Sequence, residues 1–430
     1  MIKPLVAISA PVDTYSGYGA RSRDFIKALI NAKPDWDIKI ISQRWGNTKF
    51  GYLLDHNEQD LFDRIIPKLE SKPRVWIQIT VPNEFQAVGD YNIGVTAGIE
   101  TTLCHSDWIV GMNRMNLILT SSNHSKKVLT ESTWDAVDNR TGQKIAYKCN
   151  VPVEVLFEGV DLDVYKKVDN QSSEIIKSLD EVKESFCFLF VGHWLHGDHT
   201  HDRKNIGGMI ETFYDTFRTQ RIKPALIIKT QSANSSIMDQ YNVLEKIRKI
   251  RKSVGTANLP NVYLLHGEID DADINALYNH PKIKAMLSLT RGEGFGRPLL
   301  EFTTTGKPLI VSGWSGHVDF LRPDLSTFVG GKLENLHPSS VVDKMLLKES
   351  KWFTFDKNEA KRALKHVFKN YHKVIPGSRR QKSITVKHFS FENMQDLIVK
   401  LLDNYVPFFP VEYKFVEPIP SKIEMPKLNK

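Results

Sequence analysis

The sequence has few cysteines and no long hydrophobic run. Only three of its 430 residues are cysteines (Cys104, Cys149 and Cys187), and their wide spacing gives neither a disulfide framework nor a zinc motif. No apolar stretch approaches the roughly 20 residues that a membrane-spanning helix needs. The first segment, MIKPLVAISAPVD, has only a short apolar stretch, which Asp13 follows in place of a small-residue cleavage site, so we expect a strand there and not a secretory signal. These features predict a cytoplasmic protein, without a membrane span, in a reducing compartment.

Acidic residues are fewer than basic residues, and this difference arises in the second half of the chain. The chain has 58 basic and 50 acidic side chains, a net charge of +8. Residues 1–175 hold 20 basic and 22 acidic side chains, and the remainder hold 38 and 28. An excess of positive charge favours partners that carry phosphate, which include a nucleotide, a nucleic acid or an anionic membrane. The hydrophobic fraction of 41% and the aromatic fraction of 10% argue against disorder.

Apolar strands alternate with helical patterns in both halves of the chain. This alternation predicts parallel sheets, because a parallel crossover needs a connection of helix length. We expect an α/β fold with two Rossmann-like domains whose sheets face each other across a cleft, the site where open α/β sheets bind ligands. The predicted domains are 1–170, 171–390 and a helix with an extended tail over 391–430. The strand candidates are 5–10, 38–42, 75–80, 93–98, 117–121, 186–192, 225–230, 262–267, 284–290 and 308–313.

The segment SLTRGEGFGRPLLEFTTTG contains the most informative motif. A strand ends in a loop with three glycines, and a helix with proline in its first turn follows. Glycines let a backbone approach a ligand closely, and the free amides of a helix start bind anions or hydroxyl oxygens. Glu293 lies in the loop and Glu301 lies in the helix. Two carboxylates in this arrangement can accept hydrogen bonds from a polyhydroxylated ligand.

Glu293–GFGRPLL–Glu301 resembles the Glu-x7-Glu element of family-4-type retaining glycosyltransferases, which have the GT-B fold. The resemblance implies that Glu293 contacts the transferred sugar and that Glu301 binds the ribose of the nucleotide. Arg297 departs from the family pattern, where an apolar residue is more common, and is expected to meet a phosphate or to tune the choice of sugar. The resemblance also implies that sugar hydroxyls or phosphate are bound by the amides of Gly294, Phe295 and Gly296.

A second segment, VGHWLHGDHTHDRKNIGGMIETF, is similar to the family loop after the first strand of the second domain. The resemblance implies that Arg203 and Lys204 neutralise the donor diphosphate, and Lys229 at the end of a later strand is a further candidate. Guanidinium and ammonium groups at this place would stabilise the charge that develops on the leaving group. Glu293, Arg203 and Lys204 are therefore the predicted catalytic residues. A solvated basic surface is the alternative interpretation.

The same loop is rich in histidine and aspartate, which raises the possibility of a metal site. The family generally needs no metal, so we expect none, and no cofactor besides the nucleotide-sugar donor. The pairs Asp161/Asp163 and Asp270/Asp271 are expected to be structural or exposed, since the first of them falls in EGVD, which resembles an interdomain strand ending. The loop residues concerned are His193, His196, Asp198, His199, His201 and Asp202.

In the first half, TYSGYGARSRDF resembles the glycine loop after the family's first strand. Gly17 and Gly19 would let the backbone approach donor phosphate or acceptor, and an ordinary turn is equally consistent. Residues 77–129 resemble a glycosyltransferase first domain and offer Glu84, Glu100 and His105 as acceptor-side candidates, although burial for packing would explain such residues as well.

The predicted function is transfer of a sugar from a nucleotide-diphosphate sugar, UDP-linked, to a hydroxyl with retention of configuration. One candidate acceptor is a 5-hydroxymethylpyrimidine in double-stranded phage DNA, because some bacteriophage DNA glycosyltransferases resemble this GT-B type; the host cytoplasm would then be the compartment. The basic helix EKIRKIRKS and the basic stretch 361–387 are compatible with nucleic acid, and Trp45, Trp108 and Trp314 are candidates for stacking on an exposed base.

Two other functions remain open. A glycan, a lipid-linked sugar or a protein could be the acceptor, and a membrane acceptor would call for a basic surface such as Arg21, Arg23 and Lys27 on one predicted helix. A non-catalytic sugar- or nucleic-acid-binding module is the other alternative. The pair Glu293 and Glu301 argues against it, because a binding module needs no donor-diphosphate site.

Overall fold

The computed structural model describes residues 3–137, 142–168, 174–195, 197, 200–232 and 235–409, and the side chains of all of these except 174 and 175. The predicted α/β fold class is confirmed: two six-stranded parallel sheets are each covered by helices. The predicted tail beyond residue 409 lies outside the described residues.

The first sheet has the order β2-β1-β3-β4-β5-β8, and all of its neighbouring strands are parallel. Its inner strands β1, β3 and β5 are largely apolar and buried because helices cover both faces, whereas the edge strand β2 alternates polar and apolar residues. The elements of this part are β1 (Leu5–Ala10), α1 (Gly17–Ala32), β2 (Asp37–Ser42), α2 (Tyr52–Asp55), α3 (Gln59–Phe62), β3 (Val75–Ile79), β4 (Tyr91–Thr96), α4 (Ser106–Met112), β5 (Leu117–Thr120), α5 (Asn123–Glu131), β6 (Trp134–Val137), β7 (Lys144–Tyr147) and β8 (Val153–Val155).

The second sheet repeats the pattern in the order β11-β10-β9-β12-β13-β14. The remaining elements are α6 (Glu174–Asp180), β9 (Cys187–Val191), α7 (Ile206–Phe217), β10 (Ala225–Lys229), α8 (Ile237–Ser253), β11 (Val262–Leu265), α9 (Asp271–Asn279), β12 (Ile283–Ser288), α10 (Arg297–Thr303), β13 (Leu309–Ser312), β14 (Thr327–Val329), β15 (Gly331–Asn335), β16 (Lys351–Phe355), α11 (Lys357–Lys369), α12 (Tyr371–His388) and α13 (Phe391–Tyr405).

Helix α1 shows why these sequences fold locally as they do. The Oγ atom of Ser16 accepts a hydrogen bond from the amide of Gly19 at 2.9 Å, which caps the helix start. Phe25, Ile26 and Leu29 then recur on one face and are fully buried against the first sheet. The cap places the start of α1 at the carboxyl end of β1, where ligands of such folds bind.

The chain passes between the two domains twice, and the two passages lie side by side. The amide of Val160 donates to the carbonyl of Phe389 at 2.9 Å, and the amide of Phe391 donates to the carbonyl of Val160 at 2.9 Å. After the second passage, α13 packs against α1, and Met394 and Ile398 join the core of the first domain. The predicted carboxyl-terminal helix is therefore part of the first domain's packing.

An antiparallel hairpin from the second domain reaches the first. Strands β15 and β16 pair, and we call residues 331–355 the bridging hairpin. The amide of Thr102 donates to the carbonyl of Lys351 at 3.0 Å, and the Lys344 ammonium lies 2.8 Å from the Asp107 carboxylate. The sequence motifs did not predict this element.

Among the described residues, no helix combines the length and apolar character that crossing a membrane demands.

Candidate functional site

The loop between β12 and α10 places Glu293 at the boundary of the two domains. Its backbone is fixed from both sides: the Glu293 amide donates to Ser315 Oγ at 2.9 Å, and the Gly316 amide donates to the Glu293 carbonyl at 2.9 Å. The Glu293 side chain is 7% exposed. Lys204 Nζ lies 2.6 Å from Oε1 and 2.7 Å from Oε2, so one ammonium engages both carboxylate oxygens.

Arg203 stands beside the same carboxylate. One guanidinium nitrogen, Nη1, lies 3.4 Å from Glu293 Oε2 and donates to the Gly292 carbonyl at 3.0 Å. Asp202 positions the loop that carries Arg203, because its buried carboxylate accepts a hydrogen bond from the Ile206 amide at the start of α7. The structure therefore brings together the three predicted catalytic residues, which the sequence separates by 89 or 90 positions.

The charges around Glu293 decide its ionisation. Burial by itself disfavours the carboxylate, but Lys204 and Arg203 outweigh it and lower the pKa of Glu293 to about 2. Burial lowers the pKa of Lys204, and Glu293 opposes that change. The carboxylate is thus a fixed negative charge at neutral pH, paired with two cations.

The glycines of this loop fit against the first domain. A methyl group at Gly292 would collide with the carbonyl of Glu100, and a methyl group at Gly294 would collide with the carbonyl of Ala97. Ser121 Oγ also donates to the carbonyl of Gly294 at 3.2 Å. Close approach of the two domains therefore requires glycine at both positions.

This approach brings one acceptor-side candidate to the cluster. A carboxylate oxygen of Glu100 lies 3.5 Å from Nη1 of Arg203, so Glu100 and Glu293 contact the same guanidinium nitrogen. Glu84 and His105 form no contact with this cluster among the described residues. Glu84 is exposed and accepts a hydrogen bond from Thr80, and His105 caps α4 through Nδ1, which accepts from the Asp107 amide at 3.0 Å.

Glu301 lies on α10 and is 5% exposed. Its Oε1 accepts from Arg297 Nε at 2.8 Å, and its Oε2 accepts from the Tyr278 hydroxyl at 3.3 Å. Arg297 also pairs with Asp24 on α1, so it links the Glu301 carboxylate to the first domain. Burial raises the pKa of Glu301 to about 7, although Arg297 opposes the change. Nothing in the sequence pointed to Asp24, because the contact joins positions 273 residues apart.

A cavity of about 220 Å³ opens between the domains next to these residues. Burial lowers the pKa of Lys229 in its wall to about 8. Gly17 contributes its backbone at the start of α1, and a methyl group there would meet nothing within 4 Å. Gly19 has a different role, because a methyl group there would collide with Thr14 in the preceding turn. The lining includes Ser16, Gly17, Arg23, His193, Lys229, Asp270, Asp271 and Arg297.

Other predicted residues have structural positions. Phe295 is 3% exposed and packs against Phe320, and Gly296 precedes α10 with a φ of +100°, a conformation that favours glycine. The amides of Gly294, Phe295 and Gly296 donate no hydrogen bond within the described part of the chain. They are thus available to a ligand.

Two sequence hypotheses need correction. Trp108 is 2% exposed in the first domain's core, so it cannot stack on a base. Arg21 and Arg23 form no membrane-facing surface, because both are buried and donate to backbone carbonyls, Arg21 to Phe157 at 2.9 Å and Arg23 to Val12 at 2.9 Å. Trp45 and Trp314 are half-buried, and Trp45 stacks on Tyr18 with ring centroids 4.0 Å apart.

The histidine-rich loop is described only in part, since His196, Asp198 and His199 lie outside the described residues. Burial, reinforced by nearby lysines, lowers the pKa of His193 to about 4, so this imidazole is neutral. Asp161 accepts from the Asp163 amide at 2.8 Å in a turn, while Asp271 accepts from the Tyr165 hydroxyl. Within the described residues, no three histidine, cysteine or acidic side chains are grouped to hold a metal ion.

No family model and no curated protein matches the sequence. Solved structures do match. HepE of Anabaena in complex with UDP and glucose superposes with a TM-score of 0.60 and 12% identity, over 93% of this chain and 100% of that one. The chain has the GT-B fold.

Two further GT-B neighbours cover the chain equally well. Sucrose-phosphate synthase from Thermosynechococcus elongatus gives a TM-score of 0.59 at 11% identity, over 94% of this chain and 98% of that one. A trehalose-6-phosphate protein from E. coli bound with UDP-2-fluoro glucose gives 0.59 at 11%, over 94% and 100%. At such identities the likeness establishes the fold alone.

Proposed function

We propose that this GT-B chain transfers a sugar from a UDP-sugar to a hydroxyl with retention of anomeric configuration. The observation that carries the proposal is the buried Glu293 carboxylate, held by Lys204 and Arg203 where the loops of the two domains meet. The neighbours that contain UDP or a UDP-sugar support the choice of donor. A binding module would have no use for cations at the place where a diphosphate leaves.

In the proposed reaction, the cationic and the anionic residues of the site have different roles. The bond between C1 of the sugar and the diphosphate oxygen breaks, and its electron pair leaves with the diphosphate. The acceptor oxygen forms the new bond to C1 on the face that the diphosphate leaves, and its proton passes to the departing diphosphate oxygen. Arg203, Lys204 and Lys229 stabilise the leaving charge, and Glu293 accepts hydrogen bonds from the sugar. Glu301 accepts hydrogen bonds from the nucleotide ribose.

The acceptor side belongs to the first domain. Glu100 and Glu293 contact the same guanidinium nitrogen of Arg203, and the half-buried Trp45 stacks on Tyr18, whose hydroxyl contacts Thr96 Oγ1 at 3.0 Å in the strand that leads to Glu100. An acidic group and an aromatic pair in the first domain suit an acceptor with a planar ring and a hydroxyl. A 5-hydroxymethylpyrimidine in DNA has both, and it is our proposed acceptor.

Mass analysis of hydroxymethylated DNA, incubated with the protein and a panel of UDP-sugars, tests donor and acceptor together. We expect a mass increase of one hexose or pentose per modified base. A chelator should leave the rate unchanged, since we propose that no metal is required. If only a glycan, lipid-linked or protein acceptor gains mass, the DNA acceptor is wrong and the transferase proposal stands.

Glu293→Gln tests the site itself. We expect at least a 10²-fold loss of turnover, in the range found when one transition-state contact is removed. The variant should also unfold more easily, by about 1–3 kcal/mol, because Lys204 loses its charged partner in a buried place. Glu84→Gln is the matched control, since Glu84 is exposed and outside the cluster. Full turnover of Glu293→Gln would refute the assignment.

A further inference from the structure

Helices α11 and α12 carry the positive charge of the whole chain. Residues 357–388 contain ten lysines and arginines and one acidic residue, Glu359. Their net charge of +9 exceeds the +8 of the entire sequence, so all other residues together sum to −1. The basic excess is therefore a local feature of one surface of the second domain.

The exposed lysines and arginines form a row along each of the two helices. In α12, Lys373, Arg380 and Lys387 follow one another at intervals of seven residues, about 10.5 Å each. They lie opposite the buried residues Ser378 and Gln381. Two helical turns likewise separate Arg362 from Lys369 in α11, which packs against α12. We call these five residues, with the neighbouring exposed Arg379, the basic face.

Within the described residues, no cation of the basic face forms a salt bridge. Of the ten basic residues, the described salt bridges involve only Lys357 and Lys361, with Glu211 and Asp215. Both of those lysines lie in the first turns of α11, outside the basic face. Arg380 alone interacts electrostatically with a described carboxylate, that of Asp324. Six exposed cations on two helices with so little counter-charge form a surface that attracts a polyanion.

The side chains between these cations indicate which polyanion fits. Val386 is the only exposed large apolar residue on the described helices α11 and α12, so a single valine is all that this surface offers to a lipid bilayer. Tyr371 and Phe368 are half-buried, and the exposed rings of the two helices are the imidazoles of His366, His372 and His388, so no phenyl, phenol or indole ring is exposed to stack on the bases of a single strand. Charge with few apolar or aromatic contacts suits the regular phosphate rows of a duplex.

We propose that the basic face is a docking surface for double-stranded nucleic acid, which it holds through backbone phosphates and without regard to sequence. The face lies on helices outside the interdomain cavity and shares no residue with it. Docking is therefore separable from sugar transfer. Its role is to retain the polymer while the cleft acts at one position. The proposal that the basic face docks a duplex does not depend on which molecule accepts the sugar.

Fluorescence anisotropy with a labelled 30-bp DNA duplex, over a range of salt concentrations, measures the docking. Neutralising Arg362, Lys369, Arg379 and Arg380 by substitution with Gln should make the slope of log affinity against log salt shallower by about 3 to 4 units. At about 0.1 M salt the affinity should fall on the order of 10²- to 10³-fold. Unchanged affinity and slope would overturn the proposal.

Matched variants separate docking from general charge and from catalysis. Lys249→Gln, Arg251→Gln and Lys252→Gln on α8 remove three exposed cations elsewhere on the same domain, and this variant should bind the duplex within about 3-fold of the wild type. Glu293→Gln should bind the duplex as tightly as the wild type even if it transfers no sugar. An equal loss of duplex affinity in the α8 variant would show that the duplex is attracted by positive charge in general and not by a defined surface. Tighter retention by phosphatidylserine vesicles than by the duplex would assign the face to a membrane and overturn the proposal.

Discussion

Glu301 and Lys229 are the site residues whose pKa values fall close to neutral pH. Burial raises the pKa of Glu301 to about 7 and lowers that of Lys229 to about 8. In our proposal Glu301 works as an acceptor in its ionised form, while Lys229 works as a cation. Only between these two values are both groups charged.

The affinity for UDP-glucose should therefore follow a bell-shaped pH profile, rising as pH passes 7 and falling as pH passes 8. Glu301→Gln should remove the rising limb, and Lys229→Arg, which stays charged, should remove the falling limb. Calorimetric titration between pH 5.5 and about 9.5 measures both limbs. A flat profile in the wild type would contradict these assignments.

Single residues were predictable from sequence where a motif is local. Glu293, Glu301 and the glycines share one loop and helix, so spacing alone indicated a site. The ion pair of Glu293 with Lys204 was not predicted, because the family resemblance assigned Lys204 to the donor diphosphate and no local pattern joins residues 89 positions apart. Asp24 had no signal at all, because its role depends on how α1 and α10 meet across the domain boundary.

At the scale of elements, the contact between α1 and α10 is a single chain of charged groups. Asp24 forms an ion pair with Arg297, and Arg297 forms an ion pair with Glu301. Asp24→Ala should weaken UDP-glucose binding by about 10-fold, and a double-mutant cycle with Arg297→Ala should give a coupling energy of about 0.5–3 kcal/mol. Calorimetric binding of UDP-glucose to the four proteins gives both values.

The pair Lys33 and Asp403 provides the control, because it joins α1 to α13 at 2.6 Å without reaching the donor side. Alanine at either of these positions should leave the affinity within about 2-fold, as expected for a surface ion pair. Additive effects of Asp24→Ala and Arg297→Ala would disprove the coupling.

Sequence periodicity gave most of the sheet strands but missed the bridging hairpin. Parallel strands buried on both faces are continuous apolar runs, which a sequence shows directly. The hairpin strand Gly331–Asn335 reads GKLEN, with little apolar character, because it pairs with one other strand and four of its five residues are exposed. A strand that buries so little has no apolar run for a sequence to show.

For the whole molecule, the fit of the Gly294 loop against Ala97 controls how closely the domains approach. Gly294→Ala should hold the domains apart, since the added methyl would collide with the Ala97 carbonyl. Small-angle X-ray scattering should show a larger radius of gyration, with unchanged helix content by circular dichroism. Gly17→Ala has open space around its methyl and should keep the native dimensions. An unchanged radius in Gly294→Ala would contradict the tight approach.

The packing of α13 on α1 has a consequence for biosynthesis. A ribosome releases the whole second domain before it releases Phe391–Tyr405, so the apolar groove on α1 that receives Met394 and Ile398 stays uncovered while more than two hundred intervening residues are translated. The first domain is thus translated first, but its packing is completed last. A nascent chain that stalls during translation of the second domain exposes an apolar surface that chaperones would recognise.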